Sequence, residues 1–129
     1  MNESAQSVKL KGLRVLVVED EALVALQLED MLAELGCAII GPASRVCQAL
    51  DLLGGQRVDA AVLDLNVAGE LVYPVADALA SRGLPYIFAT GCYGAAGLIG
   101  PYRSRPVLQK PFLQSQLRKA MLDSLVDVR

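Results

Sequence analysis

The chain has 129 residues, a length that suits one domain with a sizeable hydrophobic core. Hydrophobic residues make up 53% of it and the mean hydropathy is +0.40, which excludes an intrinsically disordered chain. The formal net charge is −2 and basic residues form no block, which argues against nucleic-acid binding. No apolar run approaches the roughly 20 residues that a membrane-spanning helix needs.

Histidine and cysteine usage narrows the chemistry further. The sequence contains no histidine, which excludes Ser-His-Asp and Cys-His catalysis and the usual zinc sites. The chain therefore cannot itself carry a phosphohistidine, and proton transfer falls to carboxylates, lysine or tyrosine. Cys37, Cys47 and Cys92 form no CxxC motif, so we expect them to be reduced, buried packing residues of a cytoplasmic protein.

The chain begins with a tail, a strand and a helix. We expect residues 1–12 to form a flexible tail, because Met1–Leu10 is polar and lacks the apolar segment of a secretory signal. The first strand is predicted near Arg14–Val18. A helix is predicted over Leu23–Leu35, where apolar residues recur at helical spacing, and Gly36 ends it.

A second strand and a second helix follow. The strand is predicted over Cys37–Ile40 and is closed by Gly41-Pro42. Ser44 is expected to cap the helix, which Gly54-Gly55 ends. The inward face of this helix is expected to consist of Val46, Ala49, Leu50 and Leu53.

The third strand is predicted over Val58–Leu63, and its unbroken apolar character suits a central position in a sheet. A loop with Gly69 follows it. A helix begins around Tyr73-Pro74, since proline is tolerated in a first turn, and Gly83 ends it. Its expected inward residues are Val75, Ala78 and Leu79.

Two more strands are predicted, at Pro85–Ala89 and Val107–Gln109. Between them, Gly91–Pro101 carries a glycine at every third position, which predicts a short, irregular or mobile fourth helix. A final helix is marked by Leu113, Leu117, Ala120 and Met121. Alternating strands and helices of this kind predict an α/β fold, a doubly wound five-stranded parallel sheet.

Charged residues follow three of the predicted strands. Glu19-Asp20 follows the first strand, Asp64 the third and Lys110-Pro111 the fifth. The carboxyl ends of parallel strands meet at one edge of the sheet, where ligands bind. Carboxylates gathered there repel one another, so they need a divalent cation or a lysine to offset their charge.

This arrangement resembles the receiver domain of two-component response regulators. The likeness runs from about Leu13 to Val128 and includes element order, spacing and the Lys-Pro-Phe after the fifth strand. It implies the flavodoxin-like receiver fold over residues 13–129. It also implies that Asp64 accepts a phosphoryl group and that Lys110 and the hydroxyl of Thr90 contact it.

The resemblance also implies a magnesium site. Asp20, Asp64 and the backbone carbonyl of Asn66 would ligate Mg²⁺ directly, and Glu19 would act largely through water. The Asn66 side chain could meet the water that attacks the acyl phosphate, although loop geometry explains this asparagine equally well. Lys110-Pro111 matches a bond that is commonly cis in the family.

One feature departs from many receivers. Val107 stands where they carry a switch aromatic three residues before the lysine. The run Phe88-Ala89-Thr90-Gly91-Cys92-Tyr93 instead resembles the "FAT GUY" subgroup, which often stands alone and partners sensor kinases of the HWE or HisKA_2 type. Gly91 leaves phosphoryl access open, and Tyr93 could take over part of the aromatic's role. Output would then come from ordering the glycine-rich segment.

The resemblance implies a cytoplasmic, stand-alone response regulator that receives its phosphoryl group from a sensor histidine kinase or a phosphotransfer protein. It would act on a downstream protein target, and the last strand and final helix could support a homodimer. Two alternatives stay open: a phosphorylation-independent adaptor and a haloacid-dehalogenase-like phosphatase. Against the phosphatase, Asn66 stands where that family needs a second acid, and Asp64 follows the third strand rather than the first.

Overall fold

A computed structural model describes residues 9–91 and 98–126 of the chain. Within them, strands alternate with helices. The strands are β1 (Arg14–Val18), β2 (Ala38–Ala43), β3 (Ala60–Asp64), β4 (Asn66–Val67), β5 (Glu70–Leu71), β6 (Tyr86–Thr90) and β7 (Val107–Gln109). The helices are α1 (Ala22–Glu34), α2 (Val46–Gly55), α3 (Tyr73–Ser81) and α4 (Gln114–Val126), with a 3₁₀ helix at Gly100–Ser104.

Five strands form a parallel sheet in the order β2-β1-β3-β6-β7. This is the flavodoxin-like order, and it confirms the predicted fold class. All five residues of β3 are buried, as its central position requires. Because the strands run the same way, β1, β3, β6 and β7 end at the same edge of the sheet.

Helices cover both faces of the sheet. Successive side chains of a strand point to opposite faces, so the strands contribute alternate residues to two cores. One core packs α2 and α3 against residues such as Leu16, Leu63 and Phe88. The other packs α1 and α4 against residues such as Val17, Val62 and Ile87. The sheet is therefore doubly wound, and its ends are the places left for a site.

The second strand and the helix cap differ from the prediction. β2 continues through a cis Gly41-Pro42 bond to Ala43, with a shift of register opposite Leu16–Val18. β2 is an edge strand, where proline costs no ladder hydrogen bond, so the pair bends the strand without ending it. Ser44 is not the cap: Arg45 holds that position without a side-chain hydrogen bond, and Gln48 Oε1 accepts from Ser44 N–H and Oγ–H.

Three residues expected inside are exposed. Leu50 lies at the edge of the α2 stripe formed by its buried neighbours and turns toward solvent. Leu113 precedes α4, and Gln116 Oε1 accepts a hydrogen bond from its N–H. Cys47 is exposed, whereas Cys37 is buried as expected, and Cys92 lies outside the described residues.

The segment just before the first strand packs against the domain. The sequence places the tail through residue 12, yet Leu10 is fully buried in the core beneath α1 and α4. The N–H of Gly12 donates to the carbonyl of Gly36 at 2.8 Å, so packing begins before the first strand. Most of the expected fourth helix lies at residues 92–97, outside the described residues. None of the helices in the described ranges has the length and apolar character to cross a membrane.

Candidate functional site

The carboxyl ends of β1, β3 and β7 bring four charged side chains together. Glu19 and Asp20 directly follow β1, Asp64 is the last residue of β3, and Lys110 directly follows β7. Lys110 Nζ lies 2.6 Å from Glu19 Oε1 and 3.3 Å from Asp64 Oδ2. Glu19, Asp20 and Asp64 each offer a carboxylate oxygen within 4.8 Å of the other two. The predicted convergence is therefore present.

Glu19 is buried at the base of this cluster, with 2% of its surface exposed. Its Oε1 accepts from Lys110, and its Oε2 accepts from the backbone N–H of Glu21 at 3.1 Å. Its own N–H donates to the carbonyl of Ala43 at 2.9 Å, just after the bend at Gly41-Pro42. The bend of the edge strand thus helps to hold the acidic pair in place.

Asp20 is exposed and contacts the segment after β3. Its Oδ2 accepts a hydrogen bond from the N–H of Ala68 at 2.9 Å. Ala68 and Gly69 form the turn between β4 and β5, and both have positive φ. Asn66 Oδ1 accepts from the N–H of Gly69 at 3.1 Å, so the side chain of Asn66 serves the turn here. The sequence predicted only a loop in this hairpin.

An open cleft of about 440 Å³ lies above the cluster. Its lining consists of Asp20, Glu21, Asp64, Leu65, Asn66, Leu71, Thr90, Gly91 and Lys110. A second cavity of about 300 Å³ adjoins it and is lined in part by Pro111, which follows a cis bond as expected. Every predicted site residue in the described ranges thus lies at this end of the sheet. Tyr93 lies outside those ranges.

The electrostatics show negative charge that Lys110 only partly offsets. Burial and then the negative charge of Glu19 raise the pKa of Asp64 to about 6, although Lys110 opposes them. Burial by itself lowers the pKa of Lys110, but the hydrogen bond and charge of its acidic neighbours outweigh it, so its pKa is raised. Lys110 therefore stays charged at neutral pH.

The donor set fits a hard divalent cation. Three carboxylates and a nearby backbone carbonyl supply oxygen ligands, which Mg²⁺ prefers. Burial, and after it the charge of Glu19, raises the pKa of Asp64, and a bound cation would favour the ionised carboxylate. Asp20, which is exposed to the cleft, and Asp64 are placed to hold such an ion.

The structure adds Glu21, which the sequence analysis passed over. Its carboxylate Oε1 lies 3.9 Å from Lys110 Nζ, and the residue lines both cavities. The signal was the third acid in the run Glu19-Asp20-Glu21. It was missed because a residue after the acidic pair also suits a helix N-terminus, and Glu21 does hold the N-cap position of α1.

Comparisons with known proteins agree with the fold. No family model matches the sequence. A solution structure of SdrG from Sphingomonas melonis Fr1 is 40% identical, with a TM-score of 0.80 over 90% of this chain and 98% of that one. The receiver (REC) domain of the response regulator PhyR from Erythrobacter litoralis is 26% identical, with a TM-score of 0.81 over 94% of this chain and 95% of that one.

A curated relative matches as well. The transcriptional regulatory protein PdtaR of Mycobacterium tuberculosis is 30% identical over 111 residues. The match includes 84% of this chain and 54% of PdtaR, so the chain spans about half the length of that relative.

Proposed function

The chain belongs to the receiver domains of response regulators, and we propose that Asp64 is the residue on which it accepts a phosphoryl group. The observation that carries this proposal is the position of Asp64: it ends the central strand, lines the cleft, and lies 3.3 Å from the ammonium of Lys110. Receiver domains are signalling proteins rather than classical enzymes. The receiver domain is proposed to span residues 13–129, with the buried Leu10 of the preceding segment packed against it.

The proposed step is a phosphoryl transfer from a phosphohistidine. A carboxylate oxygen of Asp64 attacks phosphorus, an O–P bond forms and the N–P bond of the donor breaks. The leaving imidazole takes up a proton from solvent. Lys110 supplies positive charge to the phosphoryl oxygens in the transition state, where charge spreads over them. Slow hydrolysis of the acyl phosphate would return Asp64 to its carboxylate.

Mg²⁺ is the proposed cofactor, held by Asp20, Asp64 and the carbonyl of Asn66, with Glu19 acting largely through water. When bound, it neutralises phosphoryl charge that Lys110 alone leaves unbalanced. The chain's own residues place a second positive charge beside Asp64. Glu19, fixed by Lys110 and by the N–H of Glu21, keeps the lysine beside Asp64.

Thr90 and Gly91 are proposed to contact the incoming group. Both line the cleft together with Asn66, and the carbonyl of Thr90 accepts from the N–H of Lys110 at 2.9 Å. This hydrogen bond ties the end of β6 to the lysine. A hydroxyl that turns toward the phosphoryl group would therefore pull on the segment that follows Gly91. Tyr93 in that segment is proposed to substitute for the aromatic missing at Val107.

The proposed donor is a sensor histidine kinase, of the HWE or HisKA_2 type suggested by the "FAT GUY" run, or a phosphotransfer protein. The proposed location is the cytoplasm, and the proposed output is contact with a downstream protein, with a homodimer as one form. A solution structure of SdrG, 41% identical to this chain, is of its BeF₃-activated conformation. Because BeF₃⁻ mimics a phosphoryl group, that relative supports an acceptor role for Asp64.

Intact-mass measurement after incubation with a small phosphodonor and Mg²⁺ tests the proposal. We expect one phosphoryl adduct on the wild type and none on Asp64→Asn. Asp59→Asn is the matched control, because Asp59 lies at the opposite end of β3, bonded to Arg14 N–H. It should keep the adduct. A wild type that gains no adduct with any donor would overturn the proposal and favour the adaptor.

A further inference from the structure

We infer that Glu21 determines which phosphodonors the site accepts, by disfavouring donors of higher negative charge. This inference rests on the proposed function and concerns the selectivity of the same cleft. Lys110 has three carboxylate neighbours: Glu19 at 2.6 Å, Asp64 at 3.3 Å and Glu21 at 3.9 Å. Glu19 is buried and Asp64 is the acceptor, which leaves Glu21 as the neighbour that faces solvent.

Glu21 lies at the mouth of the cleft. Its side chain is 68% exposed, and the residue lines the cavity above Asp64 together with Thr90. The two distances from Lys110 Nζ put the carboxylate oxygens of Glu21 and Asp64 within about 7 Å of each other. Glu21 also lines the neighbouring cavity with Lys110 and Gly91, so it lies on the border between the two.

The backbone of Glu21 is held in place at the start of α1. The N–H of Glu21 donates to Glu19 Oε2, and Glu21 is the N-cap of α1. The carboxylate is therefore attached next to the acidic pair. Among the described residues its one ion-pair contact is the long one to Lys110. Such a group contributes charge to the cleft and does not need to ligate a metal.

The size of the effect follows from Coulomb's law. A negative charge at about 7 Å in a water-like medium repels the donor. At low ionic strength it lowers the phosphorylation rate constant by about twofold to threefold for each unit of negative charge on the donor. At about 1 M salt the Debye length falls to about 3 Å and the effect disappears. A protein-borne phosphohistidine whose imidazole is protonated carries one negative charge fewer than a small dianion, so Glu21 favours it over such a dianion.

The test compares acetyl phosphate, a dianion, with phosphoramidate, a monoanion, at Mg²⁺ concentrations that saturate each variant. The quantity measured is the ratio of the two phosphorylation rate constants. We expect Glu21→Gln to raise the acetyl phosphate to phosphoramidate ratio about twofold to threefold at low salt, and Glu21→Lys to raise it by about the square of that factor. At about 1 M salt all variants should share one ratio.

Glu34→Gln is the matched control, because Glu34 is exposed at the far end of the same helix, about 20 Å along its axis. Its ratio should equal that of the wild type. A purely structural role for Glu21 would slow both donors alike and leave the ratio unchanged, which would overturn the inference while the proposed function stands. Absence of any adduct from both donors would overturn the proposed function and this inference with it.

Discussion

Lys110 holds the buried Glu19 more closely than it holds Asp64: its Nζ lies 2.6 Å from Glu19 Oε1 and 3.3 Å from Asp64 Oδ2. The lysine is thus already partnered before any phosphoryl group arrives. A short, charge-assisted hydrogen bond in a buried setting is strong, so Glu19 fixes the position of the lysine. Asp64 lies farther from the ammonium, which lowers the pKa of that carboxyl too little to offset the effects of burial and of the Glu19 charge.

Removal of the lysine charge should destabilise the fold in the absence of metal. Lys110→Met leaves the buried carboxyl of Glu19 with the N–H of Glu21 as its one remaining hydrogen-bond partner among the described residues. We expect the free energy of unfolding in urea to fall by about 3–5 kcal/mol, as for other broken buried pairs. The matched control is Lys119→Met, because Lys119 pairs with Asp123 on the surface of α4 at 2.9 Å. The free energy of unfolding of that variant should differ from the wild type by less than about 1 kcal/mol. Equal losses in the two variants would contradict a structural role for the buried pair.

The ionisation of Asp64 should cost stability at neutral pH. Its pKa is raised to about 6 in the fold, while an unfolded aspartate titrates near pH 3.9. Between these values the folded state keeps a proton that the unfolded state has lost, so folding is favoured as the pH falls through 6. Above pH 7 the ionised carboxylate carries its full cost, of order 1–3 kcal/mol.

Asp64→Asn removes this ionisation, so without metal it should unfold at a higher urea concentration than the wild type at pH 7.5. The difference should narrow as the pH falls toward 4.5, where the wild-type carboxyl is protonated in the fold. Asp59→Asn provides the control at the other end of β3, where the side chain accepts from Arg14 N–H. A gap between Asp64→Asn and wild type that is constant across this pH range would argue against the raised pKa.

The sequence was sufficient to predict the sheet and the acidic cluster. Hydrophobic runs of strand length ended at Asp64 and at Glu19-Asp20, and a parallel sheet must gather such ends at one edge. The central place of β3 followed from its lack of polar residues. These features depend on local pattern and on topology, and the sequence records both.

The features that the sequence could not supply depend on long-range contacts. Whether Gly41-Pro42 ends β2 or bends it is decided by the neighbouring strand, which pairs with Ala43 beyond the bend. Leu50 lies just outside the buried face of α2, because the rotation of the helix about its axis decides which residues face inward. Helical spacing alone does not fix that rotation. The 3.9 Å approach of Glu21 to Lys110 joins residues far apart in the chain, so only the fold could reveal it.

The affinity for Mg²⁺ should depend on Asp20 far more than on another acid of the same region. Asp20→Asn removes a charged oxygen of the cluster, and we expect Mg²⁺ to bind at least about tenfold more weakly, since loss of even an outer-shell partner weakens metal binding by that much. Asp30→Asn, an exposed change on α1, is the control and should bind Mg²⁺ as the wild type does. Isothermal titration calorimetry measures both. Equal affinities in Asp20→Asn and wild type would remove Asp20 from the proposed metal site.

The bend in β2 should matter to the site as well as to the fold. Gly41 has a φ of +100°, and a Cβ there would lie 2.8 Å from Ala43 N and 3.1 Å from Val17 O. Gly41→Ala must therefore displace Ala43, whose carbonyl holds the N–H of Glu19. We expect the free energy of unfolding, measured by thermal unfolding, to fall by about 2 kcal/mol or more.

Gly54→Ala is the matched control for this change, because Gly54 lies in helix α2 and a Cβ there meets no atom within 4 Å. It should stabilise the protein by about 0.5–1 kcal/mol through helix propensity. Since the carbonyl of the displaced Ala43 holds the N–H of Glu19, Gly41→Ala should also weaken Mg²⁺ binding in calorimetry, whereas Gly54→Ala should not. A Gly41→Ala protein that is destabilised but binds Mg²⁺ with wild-type affinity would show that the bend supports the fold without positioning Glu19 and Asp20.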